Sequence, residues 1–598
     1  MKKLLMGNEA IGLGAIRAGV TVVSGYPGTP STEVIETIAK HNDGHIYVEW
    51  SVNEKAGMEV AAGAAYAGAR TLVTMKQVGL NVASDPLMSL AYIGVKGGMV
   101  VFVADDPGPI SSQTEQDTRT FAKYAKLPIF DPTCPEEAYL MMKDAFEFSE
   151  QYHTPVLFRA TTRICHACAA IDVDDSIAET HPEGFVKSPN WVIFPRLSYG
   201  AHLKIEERNL ALTKVLSDYP GNTLTGAGTI GIAAGGVSWA YLQEALRQQD
   251  ITDVRLLKVA TPHPFPEELA ARFLDGLTDV LVFEELDPVI ERELVSLCGL
   301  KHLAVNIHGK RDNTTIRAGE NSTETIAAEL CAFLGKPLQG EAAPALPKLP
   351  VRPPVLCAGC PHRASFYAVK QAMKGRKALF SGDIGCYTLG NAMPLDMTDT
   401  CLCMGAGITL AQGIGRVDKD TVCFSFTGDS TFFASGLTGI ANAVYNGAHM
   451  VAVILDNHST AMTGHQPNPS TGRNAMGEVA EVIDIEAVLK GLGVKEVLTA
   501  DPLDLPAAIE TVKKAADLPG VSAVIFRSPC IAVCRPKPLL TVDAARCIGC
   551  RKCIRELGCP ALMVNADKTV RIDASLCYGC GICAYVCPTG AIGGVHNA

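Results

Sequence analysis

Eight of the chain's 21 cysteines fall in its last 52 residues, and they are spaced as ligands. They read Cys547-x2-Cys550-x2-Cys553-x5-Cys559-Pro560 and Cys577-x2-Cys580-x2-Cys583-x3-Cys587-Pro588. Each half sets three thiolates in one tight loop and a fourth just before a proline. That pattern binds two [4Fe-4S] clusters, the fourth cysteine of each half serving the other half's cluster. The spacing therefore assigns Cys547, Cys550, Cys553 and Cys587 to one cluster and Cys577, Cys580, Cys583 and Cys559 to the other. Zinc ribbons use two CxxC pairs at wider separation, so these triplets argue against zinc or a disulfide framework. Such a segment moves single electrons.

A second chemistry-bearing pair lies 28 residues apart. The apolar run Val422–Phe426 ends in Thr427-Gly428-Asp429-Ser430. A helix-like stretch, Ser435–Asn446, leads to the run Met450–Leu455, which ends in Asp456-Asn457-His458-Ser459. A right-handed crossover brings both strands out at one sheet edge. Neighbouring strand ends sit ~5 Å apart, so Asp429 and Asn457 can share one ion. One carboxylate and one amide oxygen, completed by phosphate oxygens, suit Mg²⁺. The crevice beyond the carboxyl ends of the strands is where open α/β sheets bind ligands. The separation matches the thiamine-diphosphate signature, GDG followed by an amide at the next strand's end. Asp-Ser and Asp-Asn are also ordinary turn formers, so the pair alone leaves a plain turn open.

Three α/β segments must position these groups. In the first, strand-like runs Val20–Ser24, Ile46–Trp50, Thr71–Met75 and Met99–Ala104 alternate with helical stretches such as Glu54–Ala67. Apolar runs of that length between helices indicate buried parallel strands. The second repeats the style with Ile230–Ala234, Val254–Val259, Val280–Phe283 and Leu303–Val305. The third has Ala378–Ser381, Val422–Phe426, Met450–Leu455 and Ala523–Phe526. The resulting parse is 1–185, 190–335, a proline-rich linker over 336–355, 356–536, and a cysteine-rich domain over 538–598. That last domain is too small for an apolar core alone and needs its clusters as staples. Gly226-Ala-Gly228-Thr-Ile-Gly231 fits GxGxxG, but its glycines precede a strand after polar, turn-like residues. A dinucleotide fingerprint follows a strand and opens a helix, which excludes NAD here. Cys165-x2-Cys168 is an isolated pair with no assigned role.

The net charge of −11 carries no basic block, which argues against nucleic acid. Met1–Met6 begins like a leader, yet Glu9 and Arg17 interrupt it and no small-residue cleavage site follows. No run reaches the ~18–20 apolar residues of a membrane span. So many thiolates call for a reducing compartment, and the expectation is a cytoplasmic protein of a low-oxygen niche.

Three longer stretches carry a resemblance: Val453-Ile-Leu-Asp-Asn-His-Ser-Thr-Ala-Met-Thr-Gly-His-Gln-Pro467, Ser381-Gly-Asp-Ile-Gly-Cys-Tyr-Thr-Leu-Gly390 and Gly25-Tyr-Pro-Gly-Thr-Pro-Ser31. With the order of segments, they resemble the alpha subunits of the indolepyruvate:ferredoxin oxidoreductases, within the 2-oxoacid:ferredoxin oxidoreductase family. The resemblance covers essentially the whole chain. It implies two parallel-sheet thiamine domains (α/β), a transketolase C-terminal-like α/β domain and a ferredoxin-like end with two [4Fe-4S] clusters. It implies thiamine diphosphate and Mg²⁺, with Asp429 and Asn457 as side-chain ligands and Ser459 as a backbone one. Gly428 and Ser430 would approach the diphosphate, Ser430 standing where the family has glycine. Glu54 resembles the glutamate that hydrogen-bonds the pyrimidine ring; otherwise it is a carboxylate favoured at a helix N-terminus. Thr29 resembles the threonine facing the thiazolium and substrate; otherwise it is a turn residue. Asp105–Asp117 either lines the substrate pocket or is a surface loop.

The implied activity is oxidative decarboxylation of aryl 2-oxoacids such as indolepyruvate to aryl-acetyl-CoA and carbon dioxide. Electrons would pass to ferredoxin, and a smaller beta subunit would complete an αβ or (αβ)2 assembly. Cys357, Cys360, Cys386 and Cys530 follow the order in which related pyruvate-type enzymes hold a third cluster. The alternative is that they are buried small apolar residues, with Cys534 equally available. Competing readings are the same chemistry on another 2-oxoacid, an electron-transfer subunit without thiamine chemistry, and a non-oxidative decarboxylase. Asp429, Asn457 and Glu54 together disfavour the second, and the tail clusters the third.

Overall fold

The computed structural model describes residues 1–174, 176–340, 347 and 349–594. Part of the expected linker (341–346 and 348) and the last four residues of the cysteine-rich domain lie outside them. The chain divides into two compact units, Met1–Ala345 and Leu346–Ala598.

The first unit holds two large sheets and a two-stranded one. One has six parallel strands in the order Tyr47–Val48, Val22–Gly25, Thr71–Lys76, Met99–Asp105, Val156–Thr161, Ile129–Phe130. All seven residues of the central strand Met99–Asp105 are buried, as a parallel strand covered on both faces requires. The chain steps from Val22–Gly25 to one side, then returns on the other as Thr71–Lys76. That reversal opens a crevice at the carboxyl ends of those two strands. The other sheet has five strands, Asn306–His308, Asp279–Phe283, Ile230–Gly235, Arg255–Val259 and Thr223–Gly226, the last antiparallel.

Several elements differ from the sequence expectation. The run Leu303–Val305 precedes its strand, which falls at Asn306–His308 where the register with Asp279–Leu281 begins. The residues before Gly226 are an edge strand rather than a turn, and Gly226 (φ 72°) and Gly228 (φ 135°) make the reversal after it. They still open no helix. Lys2–Met6 is a strand paired with Cys168–Asp172. Cys165 is buried in the preceding short helix and Cys168 is exposed.

The second unit carries five parallel strands in the order Ala378–Ser381, Val422–Gly428, Met450–Asp456, Val521–Arg527, Glu496–Ala500. Alternate side chains divide between its faces. Phe424, Phe426, Val451, Val453 and Leu455 pack on one face, and Cys423, Met450, Ala452 and Ile454 on the other. Each large buried side chain of this kind contributes about 1.5–3 kcal/mol. The tail has two antiparallel pairs, Leu540–Val542 with Ile592–Gly594 and Leu562–Val564 with Val570–Ile572. Its buried apolar set is small and interleaved with cysteines. Leu557, Ile582 and Val586 join the core of the five-stranded domain. No helix among the described residues is long and apolar enough to cross a membrane.

Candidate functional site

Strands Val422–Gly428 and Met450–Asp456 are hydrogen-bonded neighbours with Gly428 opposite Leu455. Asp429 and Asn457 therefore leave the same sheet edge. The helix starts immediately at Asp429, runs through a π-turn at Phe432–Gly436 and continues as Leu437–Tyr445. The sequence expected it only from Ser435. Its earlier start puts Asp429 and Ser430 in the first turn, where backbone N–H groups face outward and favour an anion.

Asp429 is 2% exposed. Its Oδ1 accepts from Ser430 N at 2.9 Å, and its Oδ2 accepts from Ser459 N at 3.1 Å and Asn468 Nδ2 at 3.2 Å. Ser459 N also donates to Asn457 Oδ1 at 3.2 Å, so the carboxylate and amide oxygens face one small volume. Burial, with the neighbouring Asp456 carboxylate, pushes Asp429 up to about 7. Asp456 itself is paired with Arg527 at 2.9 Å, and Asp429 takes part in no ion pair among the described residues. A buried carboxylate so placed fits a divalent cation. Among the described residues no group of three or more His, Cys, Asp or Glu could hold a metal ion by itself, so such an ion would draw on amide, backbone and ligand oxygens.

Sequence reasoning missed three supports of this turn. His362 is buried, and burial lowers it to about 4. Its neutral Nε2 lies 3.2 Å from Asn457 Nδ2, so it accepts the amide proton and turns Oδ1 toward Asp429. Asn468 arrives from a loop with no periodicity to read. Asp383, pushed up to about 7 by burial, accepts from Tyr387 Oη, Thr427 Oγ1 and Gly405 N. The Tyr387 ring then packs under Gly428, where a β-carbon would stand 2.7 Å from the ring. Only glycine fits that approach.

In the first unit, Glu54 begins the helix Glu54–Tyr66, capped by Asn53 Oδ1 accepting from Ala56 N at 2.8 Å. It is 8% exposed and lies against Gly79, where a β-carbon would stand 2.6 Å from Oε1. Burial raises it to about 7, its own backbone N–H and Lys76 opposing. Thr29 lies in the turn after Val22–Gly25, its carbonyl accepting from Ser111 Oγ at 3.2 Å. Glu54 and Thr29 thus both belong to the switch-point side of the six-stranded sheet. The loop after Asp105 is fastened to that side: Gln77 Nε2 donates to Thr114 O and Asn81 Nδ2 to Gln116 Oε1. Asp105 itself is buried, bound by Arg159 at 2.8 Å.

Cysteines of the expected sets are neighbours, although no three of them stand close enough among the described residues to hold a metal ion by themselves. In the tail, Cys559 raises the thiols of Cys580 and Cys583, and Cys587 raises that of Cys553, each after burial. The fourth cysteine of each half therefore neighbours the other half's triplet. One cavity is lined by Cys547, Cys550, Cys553 and Cys587 together. Elsewhere, burial lifts Cys360 to about 12 and Cys386 to about 11, with Cys357 contributing to both. Cys530 is raised by burial and then by Cys357 and Cys534. Cys530 N donates to Asn457 O at 3.0 Å, which joins this quartet to the Asp429 turn. Tyr578, beside Cys577, fills the space over Gly359, between Cys357 and Cys360.

Comparison with known families fits this arrangement. Residues 13–183 match the family "Pyruvate flavodoxin/ferredoxin oxidoreductase, thiamine diP-bdg", 383–526 match "Thiamine pyrophosphate enzyme, C-terminal TPP binding domain", and 570–593 match "4Fe-4S binding domain". These domains define a thiamine-diphosphate enzyme of α/β fold that carries iron–sulfur clusters, an oxidoreductase. Indolepyruvate oxidoreductase subunit IorA of Methanothermobacter thermautotrophicus is 41% identical over 99% of this chain and 97% of its own. The subunit of that name from Thermococcus kodakarensis is 40% identical over 98% and 96%. A 2-oxoglutarate synthase subunit KorA of Archaeoglobus fulgidus is 23% identical over 50% of this chain and 93% of its own. The chain belongs to the indolepyruvate oxidoreductase IorA family, within the 2-oxoacid:ferredoxin oxidoreductases.

Proposed function

We propose that this chain is the thiamine- and cluster-bearing subunit of an enzyme that oxidatively decarboxylates aryl 2-oxoacids such as indolepyruvate. Its products are the aryl-acetyl-CoA and carbon dioxide, and its electrons go to ferredoxin. The observation that carries the reading is the convergence of Asp429 and Asn457 oxygens on Ser459 N. Asp429, Asn457 and the Ser459 backbone would hold Mg²⁺, and Gly428 and Ser430 would offer backbone to the diphosphate. Glu54 would hydrogen-bond the pyrimidine ring and hold a proton at its carboxyl, and Thr29 would face the substrate. Thiamine diphosphate supplies the nucleophilic carbon and the electron sink for decarboxylation. The aryl preference is supported by the names of the relatives matched over the full chain, against the partial match to a 2-oxoglutarate enzyme.

Three clusters per chain are proposed, the third on Cys357, Cys360, Cys386 and Cys530. The contact of Cys530 with Asn457 at one side and of Tyr578 with Gly359 at the other supports a relay from the thiamine site to the tail. Iron analysis reads the count: about twelve irons per chain supports three clusters, and about eight excludes the third. A smaller beta subunit and an αβ or (αβ)2 assembly complete the proposal. The test is to co-produce both subunits without oxygen and follow viologen reduction with indolepyruvate plus coenzyme A, beside pyruvate and phenylpyruvate. Reduction strongest with aryl pyruvates is expected. No reduction with any 2-oxoacid, from protein carrying full iron and thiamine, would contradict it.

A further inference from the structure

Lys76 ends the strand Thr71–Lys76 and immediately precedes the helix Gln77–Ile93. Its strand lies at the switch point, between Val22–Gly25 and Met99–Asp105. The turn carrying Thr29 is on one side of it and Asp106 on the other. Its aliphatic stem runs along Gly28, where a β-carbon would stand 3.1 Å from Lys76 Cγ and 3.2 Å from Cδ. A side chain at position 28 would push the stem away, so the glycine lets the ammonium reach the crevice.

What the ammonium finds there is modest. Nζ donates to Ser111 O at 3.2 Å. Burial lowers its pKa, opposed by Asp106 and Glu54, but among the described residues no carboxylate lies within 4.0 Å to form an ion pair. Asp106 is committed elsewhere, accepting from Thr162 Oγ1 at 2.6 Å and Ser111 N at 2.8 Å. The other cations of this sheet edge are taken. Arg159 binds Asp105 at 2.8 Å and Asp131 at 3.1 Å, and Arg163 grips Glu320 through two contacts at 2.7 Å. A half-buried ammonium with one neutral acceptor is poorly compensated, and an incoming anion would complete it.

We propose that Lys76 Nζ receives the carboxylate of the 2-oxoacid substrate. The inference rests on the proposed thiamine role of Glu54 and Thr29 and adds the group that orients the acid between them. A 2-oxoacid is an anion with its keto carbon one bond from the carboxylate, so a cation beside Thr29 fixes which face of that carbon is presented. The contact lasts only until the carboxyl group leaves as carbon dioxide. It is therefore binding energy present in the ground state, which lowers KM without raising kcat.

The test uses the complete two-subunit enzyme. Lys76→Met removes the charge, and Lys76→Gln removes the charge while keeping a donor for Ser111 O. Viologen reduction with indolepyruvate gives KM and kcat, and a fluorescence titration gives thiamine-diphosphate affinity. Both variants are expected to raise KM about 10- to 100-fold, the range of one charge-assisted hydrogen bond. Expected alongside are a nearly unchanged kcat, unchanged thiamine affinity and partial recovery in Lys76→Arg. The neutral amide of the same acid should inhibit wild type and variants equally. A KM unchanged in Lys76→Gln, or amide inhibition weakened as much as acid binding, would overturn the proposal. A wild-type enzyme inactive on every 2-oxoacid would overturn the functional reading instead, and this inference with it.

Discussion

Asp429 and Glu54 are the same chemical group in two parallel-sheet domains, each the first residue of a helix, and burial pushes each to about 7. Their surroundings differ. Asp429 accepts three N–H donors and stands beside the Asn457 oxygen and the Asp456 carboxylate. Glu54 lies against the bare α-carbon of Gly79, with Lys76 felt only at a distance. Equal acidity thus arises from opposite settings. An oxygen-rich, negative pocket calls for a cation that restores the charge. A desolvated carboxyl with little to bond to keeps its proton near neutral pH and can share it with a ring nitrogen.

The largest effect expected from breaking this contrast is at Asp429. Asp429→Ala should lower viologen reduction by roughly 1,000-fold, because several kcal/mol of metal-held charge stabilisation goes with it; iron content should stay at the wild-type value. Glu54→Gln should lower kcat by about 100- to 10,000-fold, the range for a positioned acid–base group. Asn468→Ala and His362→Ala should each weaken Mg²⁺-dependent cofactor binding about 10- to 100-fold, as losses of groups that orient a ligand do. Isothermal titration of the apo protein would measure both.

The smallest effect sharpens the comparison in the absence of any cofactor. The native Glu54 carboxyl binds its proton more tightly than the unfolded chain does, so this group makes wild-type stability fall as pH rises from 4.5 to about 7. Apo Glu54→Gln should therefore be more stable than wild type by about 3 kcal/mol at pH 8. The difference should shrink as pH falls through that window and vanish below it. Urea denaturation of the two proteins across pH 4–8 would show this.

Much of this was legible in the residues. The strands Thr71–Lys76, Met99–Asp105, Val422–Gly428 and Met450–Asp456 are runs of branched and aromatic side chains, and their ends carry Asp429 and Asn457 as the crossover rule requires. The tail quartets are proposed from local spacing, because three cysteines of each come from one loop. Asn468 and His362 were not legible. Each reaches the site through a loop or a helix start distant in sequence, and a lone polar residue there has no period to betray it. The strand Glu496–Ala500 was missed for another reason: it is an edge strand with exposed Glu496 and Thr499, so its pattern is not a buried run. Lys76 lies one residue beyond the expected run Thr71–Met75, and its significance depends on which carboxylates are already engaged.

The central proposal is that Asp429 acts on thiamine diphosphate through Mg²⁺ and Glu54 through its own proton. It is tested most directly by titrating thiamine diphosphate into apo wild type, Asp429→Ala and Glu54→Gln, each with and without Mg²⁺. Saturable, Mg²⁺-dependent binding is expected in wild type, with its loss in Asp429→Ala and retained Mg²⁺-dependent binding in the catalytically impaired Glu54→Gln. Binding that survives Asp429→Ala, or that needs no Mg²⁺ in wild type, would contradict it.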